Sequence, residues 1–381
     1  MSNINFSQLI HQMLSVSDKV SDLIFSPGAA PQVELVGKLM AVRLPGLESL
    51  TPDHTAGIAK AVIGTNKFAE EELEKHGSAD LSFSLPGVSR FRVNVFKQRG
   101  SHAIVMRVVP DRIPSFEELG LPAALREIAE LKNGIVLVTG PTGSGKSSTL
   151  AAIVDLINET KHYHIVTIED PIEFTHHHKK SIVHQRELHA DTSSFAHGLR
   201  AALRQAPKVI LVGEIRDLET VEVALEASET GHLVLSTLHT TDAAKTVERL
   251  IGLFPQDQEH MIRLRLSGAF RWIVSQRLLP RSDGRGRIAA FEILKSTART
   301  RDYIEKGERD GKSLCDAMRD GDIDGMQLFD AEIERLIRSG MITAADGLAC
   351  ATNRQNLLLQ LSDCGGSLMN DSVELATHLP M

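Results

Sequence analysis

Gly134-Ile-Val-Leu-Val-Thr-Gly-Pro-Thr-Gly-Ser-Gly-Lys-Ser-Ser148 is the stretch from which this chain is read. Ile135 to Thr139 is a run of β-branched residues and leucine, which predicts a buried strand. Gly140-Pro-Thr-Gly-Ser-Gly-Lys-Ser147 then matches G-x-x-x-x-G-K-[ST]. Behind it Leu150, Ile153, Val154 and Ile157 fall on one face of a helix. A phosphate-binding loop needs each part. Gly140, Gly143 and Gly145 permit a tight turn whose backbone N–H groups converge on phosphate oxygens. The helix N-terminus adds partial positive charge. Lys146 reaches the β- and γ-phosphates, and Ser147 offers its hydroxyl to Mg2+. Pro141, Thr142, Ser144 and Ser148 complete the expected nucleotide-binding set, and ATP with Mg2+ are the expected cofactors. A glycine turn matching by chance would lack the strand before it and the helix after it.

Three further apolar runs, Ile165–Ile168, Val209–Val212 and Leu233–Thr237, alternate with helical patterns and predict an α/β, mostly parallel sheet. The first ends in Glu169-Asp-Pro-Ile-Glu173, where α/β folds place ligands. One of its three carboxylates, Glu169, Asp170 or Glu173, is a candidate to orient water or to hold Mg2+ through water, against the plainer reading of a solvated acidic loop. The second ends in Gly213-Glu-Ile-Arg-Asp217 and looks like a Walker B strand. Gly213 stands where a metal-binding carboxylate is usual, so Mg2+ rests on Ser147 and water. Glu214 is read as general base or water-positioner, with capping of the next helix as its competing role. The third is flanked by His232 and His239, read together as phosphate-sensing groups.

The length of 381 residues suggests two domains. Residues 1–112 read as a small α/β domain. A stiff linker carrying Pro110 and Pro114 leads to a second domain over 113–365, helical toward its end, and 366–381 reads as a loose tail. A net charge of −7, with one Trp and two Tyr, disfavours a nucleic-acid partner. Three widely spaced cysteines support neither a disulfide framework nor a thiolate zinc site. No signal-peptide pattern opens the chain, and no apolar run approaches the roughly 18 residues that span a bilayer. His176-His-His-Lys-Lys180 reads as a solvated loop. The arginines at 263, 265, 271, 277, 281, 285 and 287 read as a subunit contact face.

Four boxes in order resemble the secretion ATPases of type II secretion and type IV pili: residues 140–148, 167–174, 210–217 and 230–240. The likeness spans roughly residues 15 to 360. Without a four-cysteine zinc loop, it leans to the retraction branch, the PilT and PilU type. It implies a RecA-like P-loop domain preceded by a PAS-like α+β domain, a helical C-terminal extension and a homohexamer. It also implies a nucleotide between the two domains, with Arg90, Arg92, Arg99 and Arg107 as candidates to reach its phosphates. Glu173 and Glu214 match the family's two carboxylates. The activity implied is ATP hydrolysis powering pilus retraction and twitching motility. The location implied is cytoplasmic and peripheral at the inner membrane, on a pilus platform protein, with a paralogous retraction ATPase as a further partner. Residues 297–306 depart from the PilT signature, while 325–330 and 341–349 look more like PilU, which adds an accessory motor to the expectation. A nucleotide-gated scaffold with low turnover and a nucleic-acid translocase on the same core are the alternatives. Guanine specificity is disfavoured because Asn66-Lys-Phe-Ala69 lacks the aspartate of Asn-Lys-x-Asp.

Overall fold

A computed structural model describes residues 5–44, 47–110, 112–309 and 312–362. The expected tail at 366–381, Cys364 and the linker residue Asp111 lie outside the described residues. The chain divides into two compact units. The first comprises Met1–Ile113 together with Glu169–His176 and Gln185–Ser194; the second comprises Pro114–Ile168, His177–His184 and Phe195–Met381. A contiguous span of 1–112 therefore does not describe the first unit, because two later segments belong to it.

The first unit is built on a six-stranded antiparallel sheet. Its strands are β1 (Val20–Phe25), β2 (Gln32–Leu35), β3 (Lys38–Ala41), β4 (Ser78–Leu85), β5 (Ser89–Gln98) and β6 (Ser101–Val109), in the order β3-β2-β1-β6-β5-β4. The alternation of Phe91, Val93 and Val95 puts these side chains inside with Ile104 and Met106. The helices Phe6–Leu14 and Pro52–Ile63 close that core with Ile10, Met13, Ile58 and Val62. Thr51 caps the second helix by accepting from the His54 N–H at 3.2 Å, and Pro52 takes its first turn. The β5–β6 hairpin turns on Arg99 and Gly100, both at positive φ, 46° and 76°, as a two-residue turn matched to strand twist requires.

The second unit holds a seven-stranded sheet of β7 (Gly134–Thr139), β8 (His164–Glu169), β9 (Ile182–Glu187), β10 (Val209–Val212), β11 (Leu233–Leu238), β12 (Phe270–Pro280) and β13 (Arg287–Lys295). The order is β13-β12-β7-β11-β10-β8-β9. From β12 across to β8 the pairs are parallel, and β13 returns antiparallel on β12. Every residue of β7, β10 and β11 is buried, which is why those runs lack polar alternation. Val136 and Val138 pack with Ile153, Val154 and Ile157 of the helix Lys146–Thr160 and with Trp272 and Val274 of β12. The amphipathic helix Phe329–Arg338 lays Phe329, Ile333 and Leu336 against Leu279 and Ala290 of the β12–β13 hairpin. Gly340 follows it at φ 69°. Among the described residues no helix is long and apolar enough to cross a membrane.

The arginine-rich stretch is spread over several elements. Arg263 and Arg265 lie on the helix Glu259–Ala269, Arg271 and Arg277 on β12, and Arg287 on β13. Most are already engaged: Arg265 holds Glu229 through both Nε and Nη2, and Arg271 donates to the carbonyls of Gly268 and Phe270.

Candidate functional site

The loop after β7 has the conformation its glycines allow. Gly140, Gly143 and Gly145 have φ of 143°, 76° and 91°, all unfavourable for a residue with a Cβ. The helix Lys146–Thr160 starts directly behind Gly145, so its free N–H groups face the loop. Lys146 is buried, and its ammonium donates to the carbonyls of Gly140 at 2.8 Å and Pro141 at 3.0 Å. The side chain is thereby folded back over the turn it serves. Ser144 Oγ is buried with no hydrogen-bond partner. Ser147 lies in the first turn of the helix, half-buried. Pro141, Thr142 and Gly143 are exposed beside an open cavity of about 580 Å3, lined also by Asp242, Lys245, Arg277 and Thr352.

Glu214 follows β10. Thr237 and Ser236 of β11 brace the segment before it, donating to the carbonyls of Gly213 and Val212 at 2.7 Å each. The helix that follows is capped by Asp217, which accepts from the Thr220 N–H at 2.8 Å. The competing role for Glu214 as that cap is thus filled by another residue. Glu214 is half-buried and ion-paired through Oε1 with Arg216. His239 Nε2 stands 3.4 Å from Glu214 Oε2 without the alignment of a hydrogen bond, and that buried oxygen accepts none. A buried carboxylate oxygen with an unused lone pair, at the C-terminal edge of a parallel sheet, can take a proton from water.

The two histidines part company. Leu238 pairs with Thr139 and Leu233 with Gly134, so His239 follows β11 at the phosphate-loop edge while His232 precedes it at the other. The strand between them is about 20 Å long. His232 Nδ1 lies 3.0 Å from the Ala227 carbonyl and 3.2 Å from Thr230 Oγ1, closing the end of the helix Leu218–Glu229. Pairing the two histidines from their flanking positions overlooks the strand's length.

The remaining candidates lie in the first unit. Glu187 Oε2, buried, accepts from Ser82 Oγ at 2.7 Å, Arg90 Nη2 at 2.6 Å and the Ile172 N–H at 3.0 Å. It ties the segment carrying Glu173, which is exposed, to strands β4 and β5. Arg107 Nε bonds Asp22, also buried, at 3.0 Å. Removing either arginine would leave a buried carboxylate without its cation. Arg90 and Arg107 thus carry structural duty. Arg92, directly across from Arg107, and Arg99, at the hairpin turn, are exposed, and neither has an ion-pair partner among the described residues. Glu173 and Ser147 belong to different units.

Sequence reasoning missed Gln276 and Ser275. Ser275 Oγ accepts from Thr139 Oγ1 at 2.8 Å, and Gln276 Oε1 from Thr149 Oγ1 at 2.8 Å. Both lie on β12, which the apolar alternation did not separate from the arginine run. As for metal, no three His, Cys, Asp or Glu side chains converge among the described residues. Mg2+ needs no such cage: the Ser147 hydroxyl, phosphate oxygens and water would hold it, with water in place of the carboxylate that Gly213 replaces.

Residues 57–346 match the family described as type II/IV secretion system protein. The chain is 43% identical over 336 residues to the type IV pilus retractation ATPase PilT of Pseudomonas aeruginosa, covering 88% of this chain and 95% of that one. It is 38% identical over 359 residues to the type IV pilus ATPase PilU of the same organism, covering 94% and 91%. The crystal structure of the pilus retraction motor PilT with bound ADP aligns with a TM-score of 0.81 at 43% identity, over 93% of this chain and 99% of that chain. A phosphate loop, a half-buried glutamate two strands away with one oxygen free of hydrogen bonds, and this likeness along most of the length lead to one statement: the chain belongs to the type II/IV secretion system protein family.

Proposed function

We propose that the chain is an ATP-hydrolysing motor that powers type IV pilus retraction, alone or as a PilU-like accessory to a paralogous retraction ATPase. The observation that carries this reading is Glu214 Oε2, buried without a hydrogen bond, on the strand after next from the phosphate loop, in a chain 43% identical to a retraction ATPase. The loop 140–148 and the N-terminus of its helix would hold the nucleotide phosphates, and Ser147 would hold Mg2+, with Glu173 acting through water. Bound Mg2+ supplies charge neutralisation on the phosphates. Glu214 accepts the proton of the attacking water, and His239 Nε2 stands 3.4 Å from it. Of the four arginine candidates, Arg92 and Arg99 have no ion-pair partner among the described residues and are the ones proposed to act on phosphate. The motor works as a homohexamer at the cytoplasmic face of the inner membrane, held there by a platform protein. Purified protein is expected to hydrolyse ATP with Mg2+ present, and Lys146→Ala to lose nucleotide binding and turnover together. Unchanged hydrolysis in Lys146→Ala would overturn the reading.

A further inference from the structure

Strand β12 stands behind the phosphate loop without being part of the motif. Its register with β7 sets Ser275 beside Thr139, which places Gln276 beside Gly140. The approach is close. A Cβ on Gly140 would lie 2.4 Å from the Gln276 carbonyl oxygen, and a Cβ on Gly145 2.8 Å from Gln276 Nε2. So the two glycines that open and close the loop give room as well as φ, and Gln276 takes that room at both, joined at Gly140 by Ser144 Oγ.

The side chain of Gln276 is buried and has a defined direction. Thr149, in the first turn of the helix Lys146–Thr160, donates to Oε1 at 2.8 Å. That hydrogen bond assigns the oxygen to the helix and turns the amide NH2 toward Gly145. We propose that Gln276 is a positioning residue for nucleotide binding: its amide, oriented by Thr149, braces the phosphate loop and the helix N-terminus from behind. The nest of N–H groups then meets the phosphates preformed. Without the brace the loop orders only when the nucleotide binds, and affinity falls by the cost of that ordering. The inference rests on the ATPase reading, since it assigns a role in the same site.

The test is ADP affinity, read with an N-methylanthraniloyl ADP probe on the full chain, with thermal midpoints measured alongside. Gln276→Glu keeps the acceptor for Thr149 and places a carboxylate oxygen where the NH2 faces Gly145. Gln276→Met keeps the volume and removes both polar atoms. Thr149→Val keeps Gln276 and frees its amide to rotate. Gln276→Met and Thr149→Val, which lose the Thr149 bond, are expected to weaken ADP binding by about tenfold, the worth of one organised hydrogen bond, and Gln276→Glu to weaken it in the same direction by setting a carboxylate against Gly145. The ATP KM should rise while kcat at saturating ATP holds, because Glu214 is untouched. A residue that only packs would lower the thermal midpoint and leave ADP affinity and KM alone, and that result overturns the proposal. Should Gln276→Met fail to fold, the isosteric Glu variant and Thr149→Val carry the same test. A native chain that binds no ADP overturns the ATPase reading and this inference with it. Native binding with unmoved variants overturns the inference alone.

Discussion

Glu214 and Lys146 are both partly or wholly buried ionic groups, and they are held in different ways. Lys146 spends its ammonium on two carbonyls of its own loop, Gly140 and Pro141. A phosphate anion offers an ammonium more than a neutral carbonyl does, so the exchange on nucleotide binding is favourable. Glu214 spends one oxygen on Arg216 and leaves the other unbonded. Leaving a buried acceptor unmade costs about 1–3 kcal/mol, which the fold tolerates here at the edge of the sheet. Glu214→Gln is therefore expected to keep nucleotide binding, since nothing in the loop depends on it, and to lose about 10²–10⁴-fold in ATP turnover. Binding and steady-state hydrolysis measured on one preparation separate the two effects. A loss below tenfold would move the role of base to Glu173.

The hairpin β12–β13 gathers more of the site than its sequence suggests. Glu292 on β13 is buried and accepts from the Ala243 N–H at 2.8 Å, at the start of the helix Ala243–Ile251. The Phe329 amide, at the start of the next extension helix, also reaches it. Burial is the largest influence on its carboxyl and pushes the pKa up to about 7; nearby Asp242 adds to the rise, while the two amides and Arg277 oppose it. The sign follows from that direction. A carboxyl whose folded pKa lies above its unfolded value is held in its neutral form by the fold. Its contribution to stability is full below about pH 4.5 and is lost as pH rises through about 7. Gln in its place keeps an acceptor for Ala243 and cannot ionise. The thermal midpoint of Glu292→Gln should gain on the native protein as pH rises from about 5.5 to 8, by scanning calorimetry in one buffer series. A midpoint difference independent of pH would show that Glu292 is not the titrating group.

At the scale of the molecule the two units share the candidate residues unevenly. The phosphate loop, Glu214 and His239 belong to the second unit; Glu173 and the arginines belong to the first. The first unit also takes in Glu169–His176 and Gln185–Ser194, and Glu187 fastens that segment to β4 and β5 through Arg90 and Ser82. If turnover requires a ring, hydrolysis per chain should rise sharply in the hexamer fraction of a size-resolved preparation and be near background in the monomer fraction. Equal rates per chain in both fractions would make the ring dispensable for chemistry. Salt should shift the oligomer equilibrium without changing the order of the two rates.

The P-loop motif needed only adjacency along the chain, so it was legible: strand, glycine turn and helix are consecutive, and a single local conformation carries the chemistry. Val209–Val212 and Leu233–Leu238 were legible for a related reason, since burial on both faces leaves an uninterrupted apolar run. The hairpin behind the loop was not, because β12 carries Gln276, Arg277 and Arg281 in or beside it and its pattern reads as charge. Strand β1 is not legible either; its buried Asp22 interrupts the apolar pattern and pairs with Arg107 opposite on β6. The capping by Asp217 and the contacts of His232 are settled within a few residues, whereas the bracing role of Gln276 depends on which strand lies beside which. That is decided by pairing between segments more than 100 residues apart, such as β7 with β12, and no local spacing in the chain encodes it.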